Sequence, residues 1–236
     1  MTCLLAIDSS TEAMALALDC DGRTHLFEGE GGAQASARLL PELMGLMQRA
    51  GCTLAQVDAI GFGRGPGAFT GLRSACSVAQ GLALGAGKPV LALDSLMLVA
   101  QDARDELGDE AADCWVAMDA RMGEVYAANY RWVAGGWEVR DPPMLCRPEE
   151  LNARWAAEAP RCVAGTALSA LGHRLHCGGA HRRPATRSRA AALARLAGAA
   201  WQAGARLDAA LALPVYLRDK VAQTTAEREA ARPAVT

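Results

Sequence analysis

Asp8 ends an apolar run, Leu5-Ala6-Ile7, and is followed at once by Ser9, Ser10 and Thr11. A carboxylate at a strand end, with hydroxyls behind it, can hold a hydrated Mg²⁺ and turn O–H and N–H donors toward phosphate. Asp119 repeats the arrangement: Val116-Ala117-Met118 leads into it, and Ala120, Arg121, Met122 and Gly123 follow. In both places the chain returns as a second strand, over Ala13 to Leu18 and over Glu124 to Asn129. The two aspartates lie nearly half the chain apart, which is the spacing of an internal duplication. Two such halves predict two similar α/β domains facing one another across a cleft. The chemistry that Asp8, Thr11 and Asp119 would do together is nucleotide hydrolysis.

The turns themselves argue against that chemistry. Phosphate loops carry glycine where the backbone must approach the phosphate, but here Ser9 and Ser10 occupy one turn and Ala120 and Arg121 the other. The glycines are concentrated elsewhere, at 61, 63, 65, 67 and 71, after the apolar run Val57 to Phe62. That loop is either a phosphate cradle, with Gly65 and Gly67 contributing, or a place where two backbones nearly touch. No register of it satisfies G-x-G-x-x-G, and Gly87-Lys88 lacks the glycine a Walker loop needs at position 82, which is leucine. Neither a G-x-S-x-G elbow nor an H-E-x-x-H pair occurs. His173, His176, His181 and Cys177 are the most ligand-like group, but neighbouring glycines make the segment read as a surface loop.

The elements that must position these residues can be read from periodicity and punctuation. The first half reads as a hairpin, a third strand near His25 to Glu28 and a helix over Ser36 to Ala50. A strand, the glycine loop, a helix over Thr70 to Gly85, a strand over Pro89 to Leu93 and a helix over Ser95 to Leu107 follow. The second half reads as the repeated hairpin, a strand near Trp137 to Arg140, an irregular crossing marked by Pro142, Pro143 and Pro148, a strand over Cys162 to Gly165 and a helix over Arg187 to Ala203. The boundary falls between Gly108 and Asp113. We therefore expect a first domain over residues 1–108 and a second over 109–221, its last helix or tail packing back on the first. A tail over 222–236 is expected to fray.

Two helices carry more apolar or small surface than one packed face needs. The first presents Leu39, Leu40, Leu43, Met44 and Met47 over a wide arc interrupted by Pro41. The second places Gly71, Ala75, Ala79 and Ala83 at four-residue spacing, with Arg73, Cys76 and Leu82 beside them. This pattern predicts an interface with a partner or a second copy; the alternative is that both helices simply cover their own sheet.

Composition fits a globular protein of 236 residues, with 51% hydrophobic and 21% charged residues and net charge −2. No leader or membrane-length apolar run is read, which predicts a cytoplasmic protein without membrane contact. Its eight cysteines are scattered, so they read as reduced core thiols. Between Glu158 and Asp208 there is no acid, while Arg161, Arg174, Arg182, Arg183, Arg187, Arg189, Arg195 and Arg206 fall there. That stretch is either a contact for RNA phosphate or a solvated helix face.

Four segments together carry a resemblance: Ala6 to Glu12, Gly63-Arg64-Gly65-Pro66-Gly67-Ala68-Phe69-Thr70-Gly71-Leu72-Arg73, Asp119-Ala120-Arg121-Met122-Gly123-Glu124-Val125-Tyr126, and Pro214-Val215-Tyr216-Leu217-Arg218. In order and spacing they resemble the TsaB (YeaZ) family, bacterial glycoprotease-like proteins of tRNA threonylcarbamoyladenosine synthesis, over roughly residues 1–221. The resemblance implies an actin-like (ASKHA) fold of two ribonuclease-H-like domains. It also implies a scaffold without catalytic residues, cofactor or metal, which binds the paralogous TsaD through the two first-half helices, works with TsaE, pairs with itself when alone and meets tRNA through the complex. On this reading Asp8, Ser9, Ser10, Thr11, Gly65, Gly67, Asp119 and Arg121 form a vestigial nucleotide cleft. An actin-like ATPase is the rival, and a glycoprotease-type metallopeptidase a third. The chain departs from the family pattern at Ala35-Ser36, where a histidine is usual before the helix, and at Ala68, where serine is usual.

Overall fold

The computed structural model describes residues 2–32 and 35–218; the 222–236 tail lies outside them. Two five-stranded sheets share one topology. The first is built from β1 (Cys3–Asp8), β2 (Ala13–Cys20), β3 (Arg23–Glu30), β4 (Ala59–Gly65) and β5 (Val90–Asp94), in the order β3-β2-β1-β4-β5. The second is built from β6 (Asp113–Asp119), β7 (Val125–Val133), β8 (Gly136–Cys146), β9 (Cys162–Ala164) and β10 (His181–Arg183), in the order β8-β7-β6-β9-β10. In each, an antiparallel three-strand meander is followed by two strands added in parallel. The duplication announced by Asp8 and Asp119 is therefore a duplication of whole sheets, with each aspartate ending the central strand of its own.

The strands follow their residues. β1 is buried at every position, as a central strand covered on both faces must be, whereas β3 alternates between exposed and half-buried as an edge strand does. Helices α1 (Ala35–Ala50) and α2 (Phe69–Ala86) cover one face of the first sheet, with Leu39, Leu43, Leu46, Met47, Ala75 and Ala79 in one core with Leu5, Ile7 and Phe62. Its other face is covered by α6 (Arg189–Gln202), which returns from the far end of the sequence and packs Leu193, Leu196 and Ala197 against Leu4, Ala6 and Leu91. Helix α3 (Met97–Leu107) serves both halves. Leu98 joins the core beneath α6, and Val99, Ala100 and Ala103, with Leu96 just before the helix, join the core of the second sheet. The outer face of that sheet is closed by α4 (Pro148–Ala157) and the short α5 (Ala167–Ala170) through Leu151, Trp155 and Leu168.

Two expectations need correction. Pro142 and Pro143 do not mark a crossing between elements: they lie inside β8, at a register shift between Asp141, which pairs with Asn129, and Met144, which pairs with Ala127. The strand tolerates them because it lies at the sheet edge and because its pairing is irregular there, two settings in which a missing N–H costs little. Pro148 starts a helix that the punctuation reading missed. Proline at the first helical position gives up an N–H that would be unpaired anyway, and Glu149 and Glu150 complement the helix dipole there. Among the described residues no helix is long and apolar enough to cross a membrane.

Candidate functional site

The carboxyl ends of the central strands face one another across a cleft of about 780 Å³, lined from the first half by Ser10, Thr11 and Gly67 and from the second by Asp119 and Arg121. Those five of the anticipated cleft residues come together at one surface. Asp8, Ser9 and Gly65 do not reach it; all three are buried behind the wall.

Asp8 is completely buried, and both its oxygens are occupied. Oδ1 accepts from the Ser10 amide at 3.2 Å, the Ser10 hydroxyl at 2.9 Å and Arg189 Nε at 2.8 Å, while Oδ2 accepts from the Ser95 hydroxyl at 2.8 Å. Arg189 is equally enclosed; its Nη2 also donates to Ser10 Oγ at 2.8 Å and to the Ser95 carbonyl at 3.1 Å. Sequence reasoning placed Arg189 in a charged run and Ser95 in a helix, and paired neither with Asp8. The partners are distant in sequence, and no local signal pairs them.

Local capping delivers Arg189 to that position. It is the first residue of α6, whose leading N–H groups have no helical acceptor. Ser188 Oγ accepts from Ala191 N at 3.3 Å, and Glu28 of β3 accepts from Ala190 N at 2.9 Å. Asp102 of α3 accepts from Arg187 N at 2.8 Å and Ser188 N at 2.7 Å. Acidic groups from both neighbours thus fix the helix start against the first sheet.

The glycine loop wraps the same turn. Ala68 N donates to the Ser10 carbonyl at 2.7 Å and Ser9 Oγ donates to the Gly71 carbonyl at 2.8 Å. A Cβ at Gly63 would overlap the Asp8 carboxylate, and one at Gly71 would overlap the Ser9 carbonyl. These glycines serve close backbone approach between β4, α2 and the Asp8 turn. Gly65 N donates to Ser95 Oγ at 3.0 Å, and Gly67 lies against Ser10 at the cleft wall.

The second turn is built more loosely. Asp119 accepts from the Arg121 amide at 2.9 Å, while the Arg121 guanidinium reaches across the cleft to Glu12 at 3.0 Å and lies 3.5 Å from Asp119. Both Arg121 and Glu12 are largely exposed, so this bridge is weak. Arg218 closes over the same turn, bonding the Ala120 carbonyl at 3.0 Å and Glu124 at 2.6 Å. Thr11 turns its hydroxyl into its own loop, accepting from Ala13 N at 3.2 Å. Behind α3, Tyr130 donates to Asp94 at 2.8 Å. Burial raises the Asp94 carboxyl above the usual carboxylate range, and burial, with Asp94 beside it, raises the Tyr130 phenol.

The anticipated interface set divides sharply. Leu39, Leu43 and Met47 of α1 are buried in the chain's own core, as are Ala75, Cys76, Ala79 and Ala83 of α2, so none of these seven side chains offers a contact surface. The reason is the C-terminal return: Cys76 Sγ donates to the Ala212 carbonyl and Gln80 Nε2 to the Ala209 carbonyl, placing Ala209 and Ala212 over the small-residue stripe. Leu82 is half-buried against the same core. Arg73 is exposed but engaged: it lies 4.1 Å over the Phe69 ring and donates to Tyr216 Oη at 3.2 Å. Leu40 and Met44 remain exposed, at 44% and 51%, and Leu84 of α2 joins them at 60%.

The arginine-rich stretch also changes character in three dimensions. Arg174 pairs with Glu149, Arg183 with Glu106, Arg189 with Asp8 and Arg195 with Asp105, and Arg206 lies over Trp201. Among the described residues only Arg161, Arg182 and Arg187 of the eight have neither an ion pair nor a ring contact. The histidines at 173, 176 and 181 are exposed while Cys177 is buried, and they do not converge.

Comparison with known proteins agrees with this architecture. The profile of the family described as TsaD, tRNA N6-adenosine threonylcarbamoyltransferase, matches residues 32–176. The structure of YeaZ from Pseudomonas aeruginosa superposes with a TM-score of 0.81 at 39% identity, over 92% of this chain and 100% of that one. The chain belongs to the TsaB/YeaZ family. The tRNA threonylcarbamoyladenosine biosynthesis protein TsaB of Escherichia coli is 38% identical over 152 residues, 64% of this chain and 65% of that protein. Its namesake in Haemophilus influenzae is 46% identical over 124 residues, 52% of this chain and 51% of that protein. The chain thus aligns with about two thirds and about half of the length of these TsaB relatives.

Proposed function

We propose that this chain is a partner subunit in the synthesis of threonylcarbamoyladenosine in tRNA, acting in the cytoplasm by binding a TsaD-type transferase rather than by catalysis of its own. Family membership supports the pathway. The observation that carries the mechanism is the pairing of a locked cleft with large apolar side chains left exposed on the helices beside it. Asp8 is completely buried with both oxygens engaged by the chain's own donors, while Leu40, Met44 and Leu84 leave apolar side chains in solvent on the two helices that cover the first sheet. That surface docks on TsaD and holds it in a productive arrangement; alone, two copies of the chain pair through it. TsaE and tRNA engage the assembled complex.

Leu40 and Met44 are already about half-buried in the isolated chain, so completing their burial is worth roughly half of what a fully exposed side chain gains, about 1 kcal/mol each. The double variant Leu40→Asp/Met44→Asp therefore weakens association with TsaD by at least about 10-fold, and by more because two carboxylates would enter the contact unpaired. Its isolated chain keeps the wild-type circular dichroism spectrum, because neither side chain belongs to the core. Size-exclusion chromatography with TsaD, and threonylcarbamoyl transfer to tRNA reconstituted with TsaD and TsaE, read the effect. Undiminished complex formation by the variant would reject this docking face.

A further inference from the structure

At the end of the first sheet remote from the cleft, three thiols converge. We infer that Cys3, Cys20 and Cys52 form a binding site for one thiophilic d10 cation, Cu⁺ or Zn²⁺, held by three thiolates. This site is independent of the proposed partner role and lies the length of β1 from Asp8, roughly 17 Å.

Cys3 Sγ stands 3.5 Å from Cys52 Sγ, Cys52 Sγ stands 3.9 Å from Cys20 Sγ, and all three sulfurs lie within 4.8 Å of one another. With metal–sulfur bonds of about 2.3 Å, thiolates around a single ion stand roughly 3.8–4 Å apart, so the two pairs that share Cys52 are within a few tenths of an ångström of that spacing and the third needs at most about 1 Å of adjustment. A disulfide requires sulfurs at about 2.05 Å, a much larger contraction, and would leave the third thiol unused.

Three separate devices aim the sulfurs. Cys3 and Cys20 are direct register partners at the base of the β1–β2 pair. Asp58 accepts from Cys3 N at 2.8 Å and pins the start of β1. Cys52 follows the left-handed Gly51 that ends α1, where its amide donates to the Met47 carbonyl at 3.0 Å. The partly buried Cys20 leaves a route in from solvent. Without an ion, burial raises the thiols of Cys3 and Cys52, so they are neutral and pack as small apolar groups. Binding breaks three S–H bonds, forms three metal–sulfur bonds and releases three protons to the buffer. The buried pair Cys114 and Cys162 offers only two sulfurs, 3.6 Å apart between adjacent strands.

The soft donor set selects Cu⁺ or Zn²⁺ over hard cations. Three ligands complete a trigonal Cu⁺ centre, whereas Zn²⁺ would add a solvent ligand on the Cys20 side. The test uses the full chain, purified under reducing, anaerobic conditions and titrated with each ion against a chromophoric chelator. Co²⁺ serves as a spectroscopic reporter of thiolate charge transfer. One equivalent of Cu⁺ or Zn²⁺ should bind, and the ion retained more tightly distinguishes the two geometries. Cys20→Ser and Cys52→Ser should each weaken binding by roughly 100-fold or more and remove the charge-transfer band. Cys177→Ser, in the second half, should leave both unchanged. Circular dichroism on each variant separates loss of the site from loss of the fold. Equal affinity in Cys20→Ser and wild type, or millimolar affinity for both ions in the folded wild type, would overturn the assignment.

Discussion

The two aspartate turns begin from the same pattern and end in opposite states. Asp8 is enclosed, ringed by four hydrogen-bond donors and ion-paired with Arg189. Asp119 stands at the cleft surface, with an exposed arginine for its neighbour. The difference comes from what packs behind each turn. The glycine loop and the start of α6 press against the Asp8 turn, while the Asp119 turn meets Arg218 of the chain's return segment. One position of a duplicated pattern has become a fastener between distant segments, and the other has remained a surface. Residue type alone therefore says little about whether a strand-end carboxylate binds anything.

The contrast can be broken most directly at Arg189. Arg189→Met strands a buried carboxylate, and urea unfolding should show a loss of about 3–5 kcal/mol. Combining it with Asp8→Leu should recover part of that loss, because the unpaired charge is then gone. If Arg189→Met costs less than about 1 kcal/mol, the pair is not the fastener described here. At the second turn Arg121→Ala should cost at most about 1 kcal/mol, since both partners of its cross-cleft bridge are exposed. A larger cost would erase the difference between the turns. The smallest effect at neutral pH concerns the joint behind α3. Burial holds Tyr130 protonated in the native state, so the folded phenol ionises at higher pH than the unfolded one. Stability is then lost as pH rises above about 10, the range in which unfolded tyrosine ionises. Denaturation between pH 8 and pH 11 should show a shallower decline in Tyr130→Phe than in wild type.

Much of the fold could be read from local signals. The repeated strand–aspartate–strand pattern marked both central hairpins, and glycine spacing marked the corner between β4 and α2. The site was less legible because its decisive contacts are long-range. Nothing near Arg189 in sequence says that it meets Asp8, since the meeting depends on α6 crossing back to the first sheet. The α1 arc looked too wide for one face because its core must fill the space between β2, β3 and α2, which consumes Leu39, Leu43 and Met47. The α2 stripe looked free because the segment that covers it, around Ala209 to Ala212, is built from small residues with no periodic signature. Pro142 and Pro143 misled because an edge position cannot be inferred before the strand order is known.

The first aspartate turn acts as a structural fastener, which leaves the proposed function to the exposed helix surface. Isothermal titration of the isolated chain with ATP and Mg²⁺ tests this role most directly. No saturable heat is expected up to millimolar nucleotide, for wild type and Asp8→Asn alike. Micromolar binding by the wild type, lost in a folded Asp8→Asn variant, would contradict this role.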